Sequence, residues 1–386
     1  MGKLVSICLL VVCTVTATGM AFSASSPMEK IVEAQLEELD TQEIERMLAG
    51  LNAEIQAQLP KLELRQIIYG NQDLDLIRLG QELVRYLFRE IVANFRLLGQ
   101  LVILAIVASI LQNLQTAFVS SDALDVSLAC CLLLLLHVAL NSFQSAVEVG
   151  TKAINAMTSM MYALLPLLST TIAAVGGLTT AAIMHPMLVA AVGTMGLLVQ
   201  RGVFPLLQMG VVLTIVGNIF PGYPVRKLAG LLERGGSLLL GGAFVGFAAM
   251  LIARGMLAPV ADGVAIRAAK YVGGKIMPVL GNTFAQALDV AVGGSLLIKN
   301  GLGVYGLGAI LVMVSFPLVK IVSLLCIYRI VTALIEPISD PRLVGAMSSC
   351  GNVLAIVFVA VMTVTLTFLL TITVMVSMGN LTATLR

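Results

Sequence analysis

The chain contains one uncharged stretch, between Lys152 and Arg201, that constrains the fold more than any other feature. A transmembrane helix needs about 20 mostly apolar residues to cross a hydrocarbon core of about 30 Å. This stretch is too long for one such crossing, and Gly176-Gly177 near its middle favours a turn. It therefore predicts a hairpin of two membrane helices.

The rest of the composition agrees with a membrane location. Hydrophobic residues make up 59% of the chain and charged residues 11%, whereas soluble proteins carry about 25% charged residues. The same length test gives about eight spans, within a range of about seven to nine. They lie at residues 97–119, 126–147, 155–175, 178–198, 203–220, 235–253, 301–325 and 352–377. The sequence thus predicts an all-α integral membrane protein.

Two segments precede the membrane domain. Residues 1–23 have the order of a secretory signal peptide, with Lys3, an apolar run from Leu4 to Val15 and then small residues; whether it is cleaved is left open. Residues 24–80 are acidic and place apolar residues at helical spacing among Glu and Gln. This predicts a short amphipathic helical region in water, too small for a catalytic core of its own.

Residues 81–96 predict an amphipathic helix that lies in the membrane interface, ahead of a polytopic domain at 97–386. Its apolar face begins with Val84 and Phe88, and Arg85, Arg89 and Arg96 lie among the apolar residues. A signal peptide would place this segment outside the cytoplasm, whereas the positive-inside rule would place its arginines inside. We expect the signal peptide to set the orientation, so that residues 81–96 lie outside the cytoplasm.

Residues 256–298 predict a broken helical hairpin, because Gly273-Gly274, Pro278, Gly281 and Gly293-Gly294 interrupt short helical pieces. Broken helices at membrane depth tend to line pathways, and a charge in lipid costs several kcal/mol. Two interpretations stay open: an amphipathic elbow among the headgroups, or a re-entrant hairpin. The charged residues of this region are the candidates for a pathway or a subunit contact: Asp262, Arg267, Lys270, Lys275 and Asp289.

Two further patterns predict helix packing. Gly242 and Gly246 have the spacing that allows close approach of membrane helices, and threonines recur every four residues on the last span. These threonines are Thr363, Thr367 and Thr371. Neither pattern distinguishes contacts within one chain from contacts between subunits.

No catalytic, cofactor-binding or metal-binding site is predicted. GLGVYG at Gly301 to Gly306 follows no strand, so small-residue helix packing is favoured over dinucleotide binding. GGK at Gly273 to Lys275 lacks the spacing of a phosphate loop. No run of Lys and Arg resembles a nucleic-acid footprint. We therefore expect a protein without enzymatic activity, cofactor or nucleic-acid partner.

Several stretches carry a family resemblance. They are LFREIVANFRLLGQL, ALNSF, ALLPLLSTTIAAVGGLTTAAIMHP, DGVAIRAAK and a GNL ahead of the final Arg386. In this order, over essentially the whole chain, they resemble stage III sporulation protein AE of endospore-forming bacteria.

The resemblance implies a multi-pass protein made in the mother cell and placed in the outer forespore membrane. Its implied partners are other stage III sporulation A-type proteins, including ring-forming subunits and a secretion-type ATPase, and a forespore membrane protein across the intermembrane space. The leading hypothesis is therefore a membrane core subunit of a channel or secretion-like complex that is required after engulfment. An independent solute permease and a non-conducting scaffold are the alternatives, and homo-oligomerisation is left open.

Overall fold

Eight α-helices make up the described part of the chain. The computed structural model describes residues 44, 46, 67, 76–117, 122–219, 225–276, 281–339 and 341–384. A π-helical turn, Val199–Val203, lies between the fourth and fifth helices. The helices are α1 (Leu76–Ala93), α2 (Phe95–Ala117), α3 (Asp122–Ala174), α4 (Leu178–Leu198), α5 (Phe204–Ile219), α6 (Arg226–Ile276), α7 (Gly281–Ile335) and α8 (Pro341–Thr384). The predicted all-α membrane class is confirmed.

Six helical stretches are long and apolar enough to cross a membrane, among the residues described, and one of them runs from α4 through the π turn into α5. Two pairs of predicted spans merge. Residues 126–147 and 155–174 lie on the single helix α3, and residues 178–219 are helical throughout because the π turn joins α4 to α5. The charged residues Glu148 and Lys152 do not end α3. They lie one turn apart and form an exposed ion pair at 2.7 Å, which is compatible with a continuous helix.

The predicted hairpin turn within the uncharged stretch is confirmed. Helix α3 ends at Ala174 and α4 begins at Leu178. Gly176 between them has a φ of 100°, which is costly for any residue with a side chain and open to glycine. Ser169 and His185 face each other across the hairpin at 3.2 Å, so the two helices run antiparallel.

Helix α8 occupies the centre of the bundle. It packs against α3, α5, α6 and α7, and no charged residue occurs between Arg342 and Arg386. Within its candidate span, Pro341–Met378, 61% of the most apolar window is buried. A helix that is apolar all round is suited to this position.

Glycines bring α7 close to its neighbours. A Cβ atom at Gly303 would collide with Val376 of α8, and one at Gly306 would lie 3.0 Å from Leu164 Cδ1 of α3. Both glycines belong to the GLGVYG stretch. The helix-packing interpretation of that stretch is confirmed.

The helix continues through both glycine pairs of the predicted broken hairpin, which corrects the breaks expected there. Helix α6 nevertheless ends at Ile276 and α7 begins at Gly281, on either side of the break expected at Pro278. Gly273-Gly274 lies within α6, and Gly293-Gly294 lies within α7. A glycine costs a helix only about 1 kcal/mol relative to alanine, and each pair is flanked by long helical segments. The re-entrant arrangement itself stays a prediction.

The N-terminal segments are described only in part. The signal peptide predicted at residues 1–23 lies outside the described residues, as does most of the acidic region predicted at 24–80. Two residues of that acidic region are described in contact with the bundle: Ile44 is fully buried in the hydrophobic core, and Ile67 packs against it. Part of the region predicted to lie in water therefore docks on the membrane domain.

The predicted interfacial helix corresponds to α1, and one face of it packs on α7. Tyr86 meets Phe316 edge to face, with ring centroids 4.9 Å apart. Val84, Phe88 and Val92 point away from the bundle and stay exposed. This exposed apolar row agrees with a helix whose outer face touches lipid.

We expect Gly303→Ala to destabilise the chain by about 1 to 3 kcal/mol, because the added methyl group overpacks the contact with Val376. Thermal unfolding in detergent can be followed through the buried thiols of Cys131 and Cys350 with a thiol-reactive fluorophore. Gly80→Ala is the matched control, since no atom lies within 4 Å of a Cβ built there. Equal unfolding temperatures for the two variants would contradict the close packing of α7 on α8.

Candidate functional site

Asp262 closes the N-terminal end of α4 from a distant part of the chain. Its carboxylate accepts hydrogen bonds from the backbone N–H of Thr179 at 3.0 Å and of Thr180 at 2.9 Å. The Thr180 hydroxyl donates a third bond to the same carboxylate. The first N–H groups of a helix have no partner within the helix, and the positive end of the helix dipole favours an anion there. Asp262 thus acts as a helix cap supplied by α6.

This cap is buried and ionised. Asp262 is 2% exposed and lies beyond the candidate span of its helix, Lys227–Arg254. Burial of the carboxyl group alone would raise its pKa, but the hydrogen bonds from Thr180 and Thr179 outweigh burial and hold the pKa of Asp262 below its usual range. The candidate pathway residue Asp262 is therefore placed in a helix-capping contact.

The other charged candidates of residues 256–298 are placed by their backbone only. Arg267, Lys270 and Lys275 belong to the C-terminal part of α6, and Asp289 belongs to the N-terminal part of α7. Their side chains lie outside the described part of the structure. A role for them in a pathway or a subunit contact stays a prediction.

Lys299 is a buried basic residue that the sequence reasoning missed. It lies in α7 within the candidate span Val292–Ile335 and is 0% exposed. Its ammonium group donates to the backbone carbonyl of Val376 in α8 at 2.8 Å. A buried ionisable residue at membrane depth is costly and marks a functional candidate.

Asn300 adds a second polar group beside Lys299. Its Oδ1 atom is buried and accepts no hydrogen bond from the described residues. A buried acceptor without a donor costs about 1 to 3 kcal/mol. The sequence signal was available, because Lys299 and Asn300 interrupt an apolar run; the predicted span began at Gly301 and so left them outside it.

Polar residues near the middle of the long helical stretches, together with Glu90 near the C-terminal end of α1, form what we call the polar belt: Glu90, Glu148, Lys152, Gln200 and Lys320. Lys320 of α7 lies 3.9 Å from Glu90 of α1. Gln200 donates to Asn155 of α3 at 2.8 Å, less than one helical turn beyond Lys152. A span of 45 residues such as Cys130–Ala174 extends about 67 Å at 1.5 Å per residue, roughly twice the hydrocarbon core. At the depth of the polar belt, the surface of these long helices can therefore contact water or lipid headgroups.

The residues predicted to pack helices fall into two groups. Thr363, Thr367 and Thr371 are buried in the bundle, and each hydroxyl donates to the carbonyl four residues earlier in α8. Gly242 and Gly246 are exposed on α6, and no atom of the described chain lies within 4 Å of a Cβ built on either. The glycine pair therefore makes no close helix contact with the described part of its own chain.

Removal of the Asp262 carboxylate tests the capping contact. We expect Asp262→Ala to lower the free energy of unfolding by about 1 to 3 kcal/mol, the range for a lost N-cap or charged hydrogen bond. Since the pKa of Asp262 is lowered, its contribution is full above the ordinary aspartate pKa and disappears as the pH falls through the lowered value. Asp262→Asn should lack this acid-dependent part. Thermal unfolding followed by circular dichroism at different pH values measures both effects.

Thr194→Ala is the control for this prediction. Thr194 is exposed on the same helix α4, and its hydroxyl bonds only to the carbonyl of Ala190 in that helix. We expect its loss to change stability little. An Asp262→Ala chain as stable as the Thr194→Ala chain would contradict the capping role.

Comparisons with known proteins agree with each other. Residues 60–379 match the family model described as Stage III sporulation protein AE (spore_III_AE). The chain is 34% identical over 361 residues to "Stage III sporulation protein AE" of Bacillus subtilis (strain 168), which covers 93% of this chain and 90% of that protein. No solved structure matches. The chain is a multi-pass membrane protein that belongs to the stage III sporulation protein AE family.

Proposed function

We propose that this protein is a non-enzymatic membrane core subunit of a channel or secretion-like complex between mother cell and forespore, acting after engulfment from the outer forespore membrane. The observation that carries the proposal is membership of a sporulation family over nearly the whole chain. Its partners would be the stage III sporulation A-type proteins, including ring-forming subunits and a secretion-type ATPase, and the forespore membrane partner.

The packing of α8 supports a role within an assembly. Val353, Val357, Val361 and Val364 of this central helix are all fully buried, so side chains fill the middle of the described bundle. Protein interiors packed in this way leave few voids larger than a water molecule. In the proposed complex, a passage for large molecules would form between subunits rather than through the centre of one chain.

Deletion of the gene tests the proposal. We expect a deletion strain of the source bacterium to complete engulfment but to fail in later forespore gene expression, because the complex would lack its membrane core. Fluorescent reporters of early and late forespore expression, together with heat-resistant spore counts, measure the effect. A normal spore yield would contradict the assignment.

An independent solute permease is the second candidate, and buried Lys299 favours it. Ionisable residues inside membrane bundles often mark substrate or proton pathways. Lys299→Met keeps an unbranched side chain of similar length and removes the charge, so the fold should tolerate it. We expect this variant to stay folded. If the chain is a permease, purified wild-type protein in liposomes should take up solute and Lys299→Met should not.

Liposomes without any other component distinguish the two candidates. Solute uptake by the wild-type chain alone would favour the permease and count against a purely assembly-dependent role. No uptake, combined with lost spore yield in the Lys299→Met strain, would place the lysine in the function of the complex. Arg201→Gln is a control for charge removal on the exposed surface.

The C-terminal part of α6, which contains Arg267 and Lys270, offers a test of water access. If this part of α6 lines an aqueous path, Arg267→Cys and Lys270→Cys should react with a water-soluble thiol reagent in intact membranes. Tyr162→Cys is the matched control. Tyr162 is exposed within the candidate span Cys130–Ala174, so we expect lipid to protect a cysteine there. Full protection of both cysteines at 267 and 270 would contradict the path.

A further inference from the structure

A groove lies on the side of the bundle between α6 and α7, with α8 as its floor. A cavity of about 470 Å³ forms most of it. A second cavity of about 440 Å³ continues it at one end, since both cavities are lined by Ser237 and Ile356. We call this feature the side groove. Large apolar side chains of the three helices line the first cavity: Leu240, Phe244, Val322, Leu325, Ile356 and Val359.

One end of the side groove carries two arginines. Arg234 of α6 is exposed and lines the second cavity together with Ile356. Arg329 of α7 is also exposed and donates to the side-chain oxygen of Asn352 in α8 at 2.7 Å. Asn352 precedes Ile356 by one helical turn. Both arginines therefore lie at the same end of the groove, and the rest of the groove is apolar.

The positive charge at this end exceeds the negative charge. Glu233 also lines the second cavity, and its carboxylate accepts a hydrogen bond from the Thr214 hydroxyl of α5 at 2.9 Å. Among the described residues, no carboxylate forms an ion pair with Arg234 or Arg329. Guanidinium groups bind phosphate through paired hydrogen bonds. The charge of this end is thus complementary to an anionic phosphate group.

The dimensions of the side groove match one leaflet of a bilayer. The candidate span Lys227–Arg254 has 28 residues and extends about 42 Å, about 12 Å more than the hydrocarbon core. Arg234 lies about 10 Å along it, so this end of the groove can reach the headgroups. From Asn352 to Thr363, which lines the first cavity, the floor extends about 16 Å. That is about half the thickness of the hydrocarbon core.

The volume of the side groove distinguishes between a helix and an acyl chain. A helix is about 10 Å across with its side chains, so about 16 Å of helix occupies about 1,300 Å³. This is well above the volume of either cavity. An acyl chain is unbranched and much thinner. The groove therefore has room for an acyl chain rather than for the helix of a neighbouring protein.

We propose that the side groove binds one negatively charged phospholipid. Its phosphate lies between Arg234 and Arg329, and one acyl chain follows α8 toward Thr363. Gly241 of α6 leaves room for this chain, because it lines the first cavity and no described atom lies within 4 Å of a Cβ built on it. This binding site is independent of the proposed role in a complex.

Native mass spectrometry of the full chain in mild detergent tests the site. We expect the wild-type chain to retain one phosphatidylglycerol, and to bind phosphatidylcholine less tightly because the choline cation offsets its phosphate charge. The double variant Arg234→Gln, Arg329→Gln should bind phosphatidylglycerol about tenfold or more weakly, because it loses charged hydrogen bonds to the phosphate. Arg254→Gln is the matched control, since Arg254 is exposed at the other end of the same span. It should bind as the wild type does.

A second pair of variants tests the acyl-chain part of the groove. Gly241→Leu fills the groove and should lower the affinity for phosphatidylglycerol about tenfold or more, since the acyl chain loses its apolar contacts. Gly246→Leu is its control, because Gly246 also has open space around a built Cβ but does not line either cavity. Elution of each variant as a single symmetrical peak in detergent shows that it is folded.

A photoreactive group on the acyl chain locates the bound lipid. Irradiation of the wild-type chain with this phosphatidylglycerol should label peptides that contain Phe244 and Val359, which line the groove. The Gly241→Leu chain should give much less of this labelling, and the Gly246→Leu chain should give as much as the wild type.

Several results would overturn the proposal. One is an arginine double variant that binds phosphatidylglycerol as tightly as the Arg254→Gln chain, and another is equal affinity of the wild type for phosphatidylcholine. A folded Gly241→Leu chain with unchanged affinity would also contradict it. A wild-type chain that retains no lipid and has twice the chain mass would assign the groove to a second copy instead. If Gly241→Leu does not fold, the arginine variants still decide the question.

Discussion

The contact between α7 and α8 is the interaction on which the rest of the bundle depends. Gly303 and Gly306 let α7 approach α8 and α3 closely, and the ammonium group of Lys299 bonds to the carbonyl of Val376 at one end of the same contact. Helix α8 is in turn surrounded by α3, α5 and α6. Because lipid supplies no hydrophobic driving force between helices, such close packing and interhelical hydrogen bonds hold a membrane bundle together.

Polar groups are distributed over this bundle in three different ways. The polar belt forms local pairs, such as the exposed pair of Glu148 with Lys152. Asp262 is buried but satisfied by the N-terminus of α4. Lys299 and Asn300 lie inside the candidate span of α7, and Asn300 Oδ1 accepts no bond from the described residues. Buried Lys299 and the buried Oδ1 atom of Asn300 are therefore functional candidates inside the candidate span.

The two sides of α6 differ in their contacts. Its inner face completes the core with Leu240 and Phe247, while Leu238 and Val245 on the other side stay exposed. No described atom lies within 4 Å of a Cβ atom built on Gly242 or Gly246. Among the described residues, the bundle therefore holds α6 through one face.

The sequence by itself determined the membrane class, the hairpin turn at Gly176-Gly177 and the family, because hydropathy, turn residues and long ordered motifs are local properties of the chain. It predicted separate helices at residues 126–147 and 155–175, and at 178–198 and 203–220, whereas each of these pairs lies on one continuous helical stretch. Only the tertiary structure decided that Asp262 caps α4, that Thr367 is internal and that Gly242 faces outward. These outcomes depend on which face of each helix meets the others, and that is fixed by contacts between residues far apart in the sequence.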